Sequence, residues 1–559
     1  MSSEDTVPFY QNPNLCQLLL FEIVTSNTLQ VRESRTPGAG SGLFADNAVP
    51  AGQEVFRSKP VVTCVQDSLS TVCDFCYTNN ASKVLPSGRF RTRRDPIEAL
   101  VECNGCHICK YCTESCRNTA FEAYHKYECA AFLKSGGLGI RARALYRALI
   151  HKQHGLLPEH QWQGLMTLMP HQSGHQQGPE KEALSRIAME AKAHTDAALD
   201  IDTIERLYCV VSRRSSTNIL TLYSGLHWLQ FLTNSMAIRL PGQSAVMGTV
   251  VDVVGAIMNH SCDPNVLISF DGNELVVRTL RAMEAGDELA HCYTDVQSDV
   301  LLRQKLLQSE YFFTCTCQYK LRLFPIAISA LTMRNSELRE HECVTRGDNA
   351  KMQTIRVVQD NLFASMNDAV SSFTLTRKPV DVDSLADHME ELADKAYPTG
   401  EWPPSLEPLP SIYKTLGRLN QAQGDPFGAI EYCIRGCAYT KRRAGEPWMV
   451  DLFELVQVLT AVLGSSPEEQ EADEPAFPTP AELWDVFHGY LHELLRLAQG
   501  NCGHDVSYTR AIRSWHDAAL KYADGPLPGT QEFADKFHAS HRKLLLWANV
   551  TEDQWTIDT

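Results

Sequence analysis

Apolar and polar positions alternate in short runs over two stretches that lie far apart in the chain. The first, Leu29 to Val65, carries the glycine-rich run Pro37-Gly38-Ala39-Gly40-Ser41-Gly42. Leu43-Phe44-Ala45, a Pro50-Ala51-Gly52 turn and Glu54-Val55-Phe56 follow it. The second, Gly248 to Asp295, carries Val266-Leu267-Ile268-Ser269-Phe270, an Asp271-Gly272-Asn273 turn and Leu275 to Leu280. An Ala285-Gly286-Asp287 turn then leads into Glu288-Leu289-Ala290-His291-Cys292-Tyr293. Short β-favouring runs bounded by turn residues are strands, so both stretches predict hairpins of one small all-β domain. Elsewhere the apolar spacing is helical: Ile140 to Ile150, Ile204 to Arg213, and throughout from about Pro325 to the end. The polar stretch His171 to Glu180 and the acidic, proline-rich Ser465 to Pro480 interrupt this pattern and read as loops, the second as a disordered one.

The length of 559 residues exceeds what one core holds and predicts two to four domains. Hydrophobic residues at 44% and charged residues at 21% describe an ordinary globular chain. A net charge of -16 argues against binding to nucleic acid through bulk charge, and it suits a basic, lysine-rich protein segment as substrate. Glu4 and Asp5 stand where a signal peptide carries positive charge, and Gln17 and Glu22 break the apolar stretch Leu15 to Val24. Ala245 to Met258 contains Asp252 and is too short to span a bilayer. These features predict a soluble monomer inside the cell, in the cytoplasm, the nucleus or both, and no membrane association.

The 19 cysteines change the picture because eight of them fall between Cys73 and Cys129. The spacing is Cys73-x2-Cys76, Cys103-x2-Cys106, Cys112-x3-Cys116 and His125-x3-Cys129. Two-residue gaps let a tight turn present two thiolates to one ion, and three-residue gaps place both ligands on one side of a helical turn. Eight such groups make two tetrahedral sites with no open position, which is structural zinc. Free buried cysteines are the alternative, and four consecutive pairs with a matching histidine argue against it. Cys109 fits neither pair. Arg89, Arg91, Arg93 and Arg94 form a basic run that reads as a solvated loop.

The cysteine pattern, with Lys110-Tyr111-Cys112 and His125-Lys126-Tyr127-Glu128-Cys129, resembles the MYND zinc finger. The resemblance implies interleaved sites: Cys73, Cys76, Cys112 and Cys116 on one ion, Cys103, Cys106, His125 and Cys129 on the other. It also implies proline-rich peptides as partners of the finger. Asn259-His260-Ser261-Cys262-Asp263-Pro264-Asn265, followed by Gly286-Asp287-Glu288-Leu289 and Tyr293, resembles the SET domain of lysine methyltransferases. A SET domain interrupted by a MYND finger in this order is similar to the SMYD family. The implied fold is α+β and multidomain: a split β-rich SET domain with an inserted finger and a helical insert, then an α-helical, tetratricopeptide-like (TPR-like) C-terminal domain. Expected boundaries are 25–66 for the first SET part, 67–132 for the finger, 133–240 for the helical insert, 241–298 for the SET core, 299–322 for the post-SET segment and 323–559 for the helical domain. Tyr413, Leu416, Gly417 and Ala429 fall at tetratricopeptide offsets, with Gly424-Asp425 at the turn between helices.

The resemblance implies S-adenosylmethionine as cofactor and a protein lysine as acceptor. Ala39, Gly40 and Ser41 correspond to a loop whose backbone meets the cofactor, with Ser41 where relatives often carry Asn. Asn234, Asn259, His260, Phe313 and His171 correspond to further cofactor contacts, Phe313 as the ring stacked on adenine. Tyr293 and Tyr311 correspond to the walls of an aromatic lysine channel, and Tyr293 is the expected catalytic residue. A free lysine is neutral only about once in a few thousand molecules at pH 7, so a desolvating channel has to lower its pKa. A phenol with a pKa near 10 is a poor base at neutral pH, which leaves Tyr293 alignment and electrostatic work. A third zinc in the family uses four cysteines. Here Cys262, Cys315 and Cys317 are present, but the last position is Lys320, whose ammonium cannot ligate zinc. Either another ligand substitutes or that site is weak or empty, and only the two finger zincs are expected to be tight. Asp252 replaces an aromatic residue frequent in relatives. The competing readings are a catalytically inactive scaffold that binds partners through the finger and helical lobe, and a DNA-binding regulator, which the acidic charge disfavours.

Overall fold

The computed structural model describes residues 7–65, 71–80, 98–135, 140–169, 179–195, 199–211, 236–238, 247–294, 300–315, 349–376, 378–396, 402, 408–438, 446–464, 477–521, 525–551 and 555. The two alternating stretches form strands, and several of the pairings join segments far apart in sequence. From the first come β1 (Leu29–Glu33), β2 (Ser41–Ala45), β3 (Glu54–Ser58) and β4 (Val62–Val65). β5 (Val101–Glu102) and β6 (Lys110–Tyr111) lie in the cysteine-rich module, and β7 (Met236–Ile238) precedes the second stretch. That stretch gives β8 (Gly248–Val251), β9 (Asn259–His260), β10 (Val266–Asp271), β11 (Glu274–Thr279) and β12 (Ala290–His291).

The expected hairpin across Gly272 is present: β10 and β11 pair antiparallel with Phe270 opposite Leu275, and Gly272 takes a φ of 63° in the turn. β3 and β4 form no hairpin with each other. β3 pairs with β11, placing Phe56 opposite Val277, and β4 pairs with β8, which also pairs with β7. The segment after the Gly286 turn is likewise no hairpin arm. β12 lies parallel to β9, with Ala290 beside Asn259 and His291 beside His260. The all-hairpin expectation is corrected here because apolar faces from both halves share one core. Leu43, Val55, Phe56, Leu275, Val277 and Leu289 are all fully buried in it.

An element that the periodicity did not single out leads the chain. Helix α1 (Pro13–Phe21) starts at Asn12, whose side chain accepts the N–H of Leu15, and buries Leu15 and Leu19. In the turn before it, the N–H of Tyr10 donates to Ser41 Oγ at 3.2 Å. The cysteine-rich module continues with α2 (Glu114–Ala120), a π-helical turn at Phe121–His125 and α3 (Lys126–Ser135). The helical insert supplies α4 (Ile140–Gln153), α5 (Glu159–Thr167), α6 (Pro179–Thr195) and α7 (Ile201–Val211). Tyr77, Tyr111 and Phe132 of the module share the core of the β-rich domain with Leu145 and Leu149 of α4.

After α8 (Val300–Tyr311) the described chain is helical: α9 (Asn349–Thr376), α10 (Val382–Ala396), α11 (Leu409–Gln423), α12 (Pro426–Ala438), α13 (Glu446–Leu463), α14 (Pro480–Cys502), α15 (Ser507–Leu520) and α16 (Gln531–Trp547). α11 ends at Gly424 with a φ of 91°, and Asp425 Oδ1 accepts the N–H groups of Phe427 and Gly428 to start α12. A Cβ at Gly417 would press on Cys433, so that glycine sets the close approach of α11 and α12. Helix α14 begins at Pro480, where the loop was expected to end, and the last loop residues, 477–479, are held in place. Phe477 is buried against Phe427 and Trp547, and Thr479 with Glu482 forms a capping box on α14. This helical lobe rests on the β-rich domain where Ser507 donates from Oγ to Asp271 Oδ1 at 2.6 Å. No described helix is long and apolar enough to cross a membrane.

Candidate active site and metal centres

The thiols of Cys73, Cys76, Cys112 and Cys116 converge, as do those of Cys103, Cys106 and Cys129 with the His125 ring. Cys112 sits 3.6 Å from Cys76 and 3.5 Å from Cys116, sulfur to sulfur; Cys103 and Cys129 are 3.7 Å apart. His125 Nε2 lies 3.4 Å from Cys106 Sγ and 3.3 Å from Cys103 Sγ. Ligands tetrahedral about zinc, at ~2.3 Å for sulfur and ~2.0 Å for nitrogen, stand roughly 3.5 to 3.8 Å apart, so both sets have the dimensions of a zinc site. The helix cap at Thr113 accepts the N–H of Cys116 and fixes that ligand on the first turn of α2. His125 Nδ1 faces Glu128 Oε2 at 3.4 Å, the outer carboxylate that holds a ligating imidazole in one tautomer. Cys109 belongs to neither set; Arg143 Nη2 donates to its sulfur at 3.0 Å.

Those carboxylates and arginines form a buried network. Arg143 Nη2 donates to Asp74 Oδ1 at 2.6 Å, and Arg147 to Glu128 through Nε at 2.5 Å and Nη2 at 2.8 Å. Arg147 Nη1 also donates to the carbonyl of Thr63, and Arg143 Nη1 to that of Val65, both in β4. The α4 arginines thereby tie the outer shell of the second metal set to the β-rich domain.

In the β-rich domain a second constellation forms where β9 and β12 run side by side. Asn259 Nδ2 donates to the Ser41 carbonyl at 2.9 Å and to Glu288 Oε1 at 2.8 Å, which spends both amide protons and leaves its Oδ1 facing outward from that pair. Asn265 clamps the neighbouring strand, donating to the Glu288 carbonyl and accepting the N–H of Ala290, each at 2.8 Å. His260 Nδ1 accepts the N–H of Tyr293 at 3.0 Å. The Tyr293 hydroxyl donates to the Met258 carbonyl at 2.8 Å, and the Tyr311 hydroxyl to the Tyr293 carbonyl at 3.2 Å. The two tyrosine rings are 4.7 Å apart, and Phe313 stands 5.8 Å from the His260 ring. Burial, and after it the charge of Glu288, holds the Tyr293 phenol well above its ordinary pKa, so it stays protonated.

The structure thus gathers Gly40, Ser41, Asn259, His260, Tyr293, Tyr311 and Phe313 into one region. Ala39 lies in the same loop, its N–H donating to Thr36. The Ser41 hydroxyl is engaged by Tyr10, on the N-terminal segment. His171, Asn234, Cys317 and Lys320 lie outside the described residues. Cys262 and Cys315 are 3.9 Å apart, and His260 Nε2 lies 3.2 Å from Cys262 Sγ. Asp252 takes a structural seat: its carboxylate accepts from Ser58 Oγ and from the N–H of Gly255, each at 2.7 Å. Two neighbours of the site received no role from the sequence. Glu288 bonds the glycine loop, and His291, whose ring is 4.9 Å from that of Tyr293, is held neutral by burial that pushes its pKa down to about 4. Both stand in the quoted Gly286-to-Tyr293 run, yet only tertiary pairing aims them.

Residues 40–294 match the SET domain family. The histone-lysine N-methyltransferase SMYD3 of Mus musculus is 26% identical over 299 residues, covering 52% of this chain and 61% of its own length. The SET domain and MYND-type zinc finger protein 6 of Schizosaccharomyces pombe is 26% identical over 288 residues, 50% of each chain. The N-lysine methyltransferase SMYD2-B of Xenopus laevis is 25% identical over 289 residues, covering 51% of this chain and 59% of its own. The matched part of the chain therefore spans half to about three-fifths of these relatives. Taken with the paired β9 and β12 motifs and the two interleaved ligand sets, these matches make residues 40–294 a SET domain and make the chain similar to the SET- and MYND-domain proteins of the SMYD family.

Proposed function

We propose that this protein transfers a methyl group from S-adenosylmethionine to the side-chain amine of a lysine in another protein. The observation that carries the reading is the pair of tyrosines beside Asn259 and His260: rings 4.7 Å apart, each hydroxyl donating to a fixed backbone carbonyl. When bound, the cofactor supplies a methyl group on a sulfonium and leaves as a neutral thioether. Asn259 offers its amide oxygen to a cofactor donor, and Phe313 offers a ring face to adenine. Tyr293 and Tyr311 form an aromatic wall that disfavours an ammonium and so favours the neutral amine. Because the Tyr293 proton is committed to Met258, the phenol oxygen keeps its lone pairs for the reacting centre, aligning it and stabilising positive charge. The phenol does not act as the base; water outside the channel takes the amine's proton.

The two finger sets hold structural zinc in this reading, and the helical lobe, TPR-like in its α11–α12 pair, flanks the substrate. Protein substrates follow from the names of the relatives, two of which, SMYD3 and SMYD2-B, are lysine methyltransferases. The test is transfer of labelled methyl from S-adenosylmethionine to proteins of a lysate from cells lacking this chain. Wild type should label a lysine, and Tyr293→Phe at matched zinc content should lose activity by at least tenfold. No label from either, with no cofactor binding by calorimetry, would make the protein a binding scaffold instead.

A further inference from the structure

We infer that Glu288 is a positioning residue that assembles the cofactor cradle, and the inference rests on the methyl-transfer reading above. Its carboxylate touches two parts of the chain that are far apart in sequence, residues 34–35 and Asn259. Oε1 accepts from Ser34 Oγ at 2.8 Å and from Asn259 Nδ2 at 2.8 Å; Oε2 accepts the N–H of Arg35 at 2.9 Å. Ser34 and Arg35 open the glycine loop. Its far end is held to the same point, because Asn259 also bonds the Ser41 carbonyl and the N–H of Ser34 donates to Gly40 at 2.9 Å. Arg35 adds a second tie, donating from Nη2 to the carbonyl of Gly286 at 2.6 Å.

The loop is the turn between the paired strands β1 and β2, with Glu33 opposite Ser41, and its glycine-rich tip is open. Gly38 and Gly40 take φ values of 80° and 73°, and neither has a neighbour within contact distance of where a Cβ would stand. Left alone, such a segment samples many conformations, and ordering it on binding costs affinity. Glu288 lowers that cost by fixing the Ser34–Arg35 end of the turn to Asn259, which itself holds the Ser41 end and offers its amide oxygen to the ligand. At Gly42 the approach is so close that a Cβ would overlap the Glu288 carboxylate, so the absence of a side chain there is what admits the acid. The Tyr293 and Tyr311 hydroxyls bond backbone carbonyls and not Glu288, whose charge reaches Tyr293 only through space, so its main effect falls on the cofactor rather than on the acceptor.

Calorimetry with S-adenosylmethionine and S-adenosylhomocysteine on the full chain tests this, comparing wild type with Glu288→Ala, Glu288→Gln and Ser34→Ala. Glu288→Ala should raise both dissociation constants about tenfold or more, since the charge-assisted hydrogen bonds to Ser34, Arg35 and Asn259 are lost. Glu288→Gln should fall between, because its oxygen still accepts from Ser34 and Asn259 while its amide faces the Arg35 N–H. In turnover assays the KM for cofactor should rise, with kcat at saturating cofactor and the KM for protein substrate near wild type. A merely structural role would lower the unfolding temperature and leave the dissociation constants of the folded protein unchanged, and that result would overturn the inference. Should Glu288→Ala not fold, Ser34→Ala decides: a weakening of about threefold supports the inference and unchanged affinity overturns it. If wild type itself binds neither ligand, the methyl-transfer reading falls and takes this one with it; equal binding by wild type and variants removes only this one.

Discussion

The backbone N–H of Tyr293 points at Nδ1 of His260, and that one donor sets the tautomer of the ring: a neutral imidazole accepting at Nδ1 carries its proton on Nε2, aimed at Cys262. With that proton in place Nε2 cannot ligate a metal, although the ring stands close to Cys262 and Cys315. Asn259 is fixed in the same way, since both of its amide protons meet acceptors. Such assignments are illegible in a sequence, which gives the motif Asn-His-Ser-Cys but not the direction of a single amide. His488 on α14 shows a residue-scale effect with a pH signature. Burial, and after it the neighbouring His516, pushes its pKa down to about 4. A histidine whose folded pKa is lowered contributes stability that is present above about 6.5 and lost as pH falls towards 4. Between pH 7 and 5.5 the loss from this one ring is about 1 kcal/mol. Denaturant unfolding at those two pH values should show wild type losing more stability than His488→Phe, which keeps the ring packed against Trp484 and Phe487. An equal loss in both would assign the sensitivity to other groups.

Helix α4 has a ladder of small and apolar residues on one face, which the helical spacing predicted, and two arginines whose purpose the spacing did not reveal. Arg143 and Arg147 are buried and serve as the rivets between the cysteine-rich module and β4. A charge run on a helix usually reads as a solvated face; these two arginines reverse that, because Asp74 and Glu128 from the finger cancel them in the interior. Replacing Arg147 with Met should therefore destabilise the protein by about 3 to 5 kcal/mol, the cost of leaving Glu128 buried without its main partner. It should also speed zinc release from the set containing His125, since Glu128 then no longer holds that ring. Wild-type release kinetics with lowered global stability would mean that the network serves packing alone. Element positions were the more legible part. The β10–β11 turn, the Gly424-Asp425 turn and the cysteine spacing each depend on residues close in sequence. α1 was missed because its apolar face is short and interrupted by polar residues, and only docking against α5 and β1 gives it a partner.

Across the whole molecule, the finger and the β-rich domain share one apolar core, whereas α12 to α16 build a separate one around Leu452, Val456, Phe487 and Phe537. Metal analysis should return two tightly held zinc ions per chain; three would show that Cys262 and Cys315 complete a third tight site. Stripping the ions with a chelator should lower the thermal transition of the finger and β-rich domain by many degrees and leave that of the helical lobe nearly in place. A single transition that moves as a unit would show the two cores to be coupled through the contact of Ser507 with Asp271. Sequence alone determined the features that rest on local chemistry. The ligand spacing that can chelate zinc, the turns that need glycine, the apolar periodicities and the motif residues of a SET domain are all of this kind. Only tertiary structure decided which strands pair, why β9 and β12 run parallel, and how Glu288 reaches Ser34, Arg35 and Asn259 at once. Those outcomes depend on closing loops of roughly 30 to more than 200 residues, and a long-range contact is selected by the shared core and by buried hydrogen-bond satisfaction rather than by any local preference.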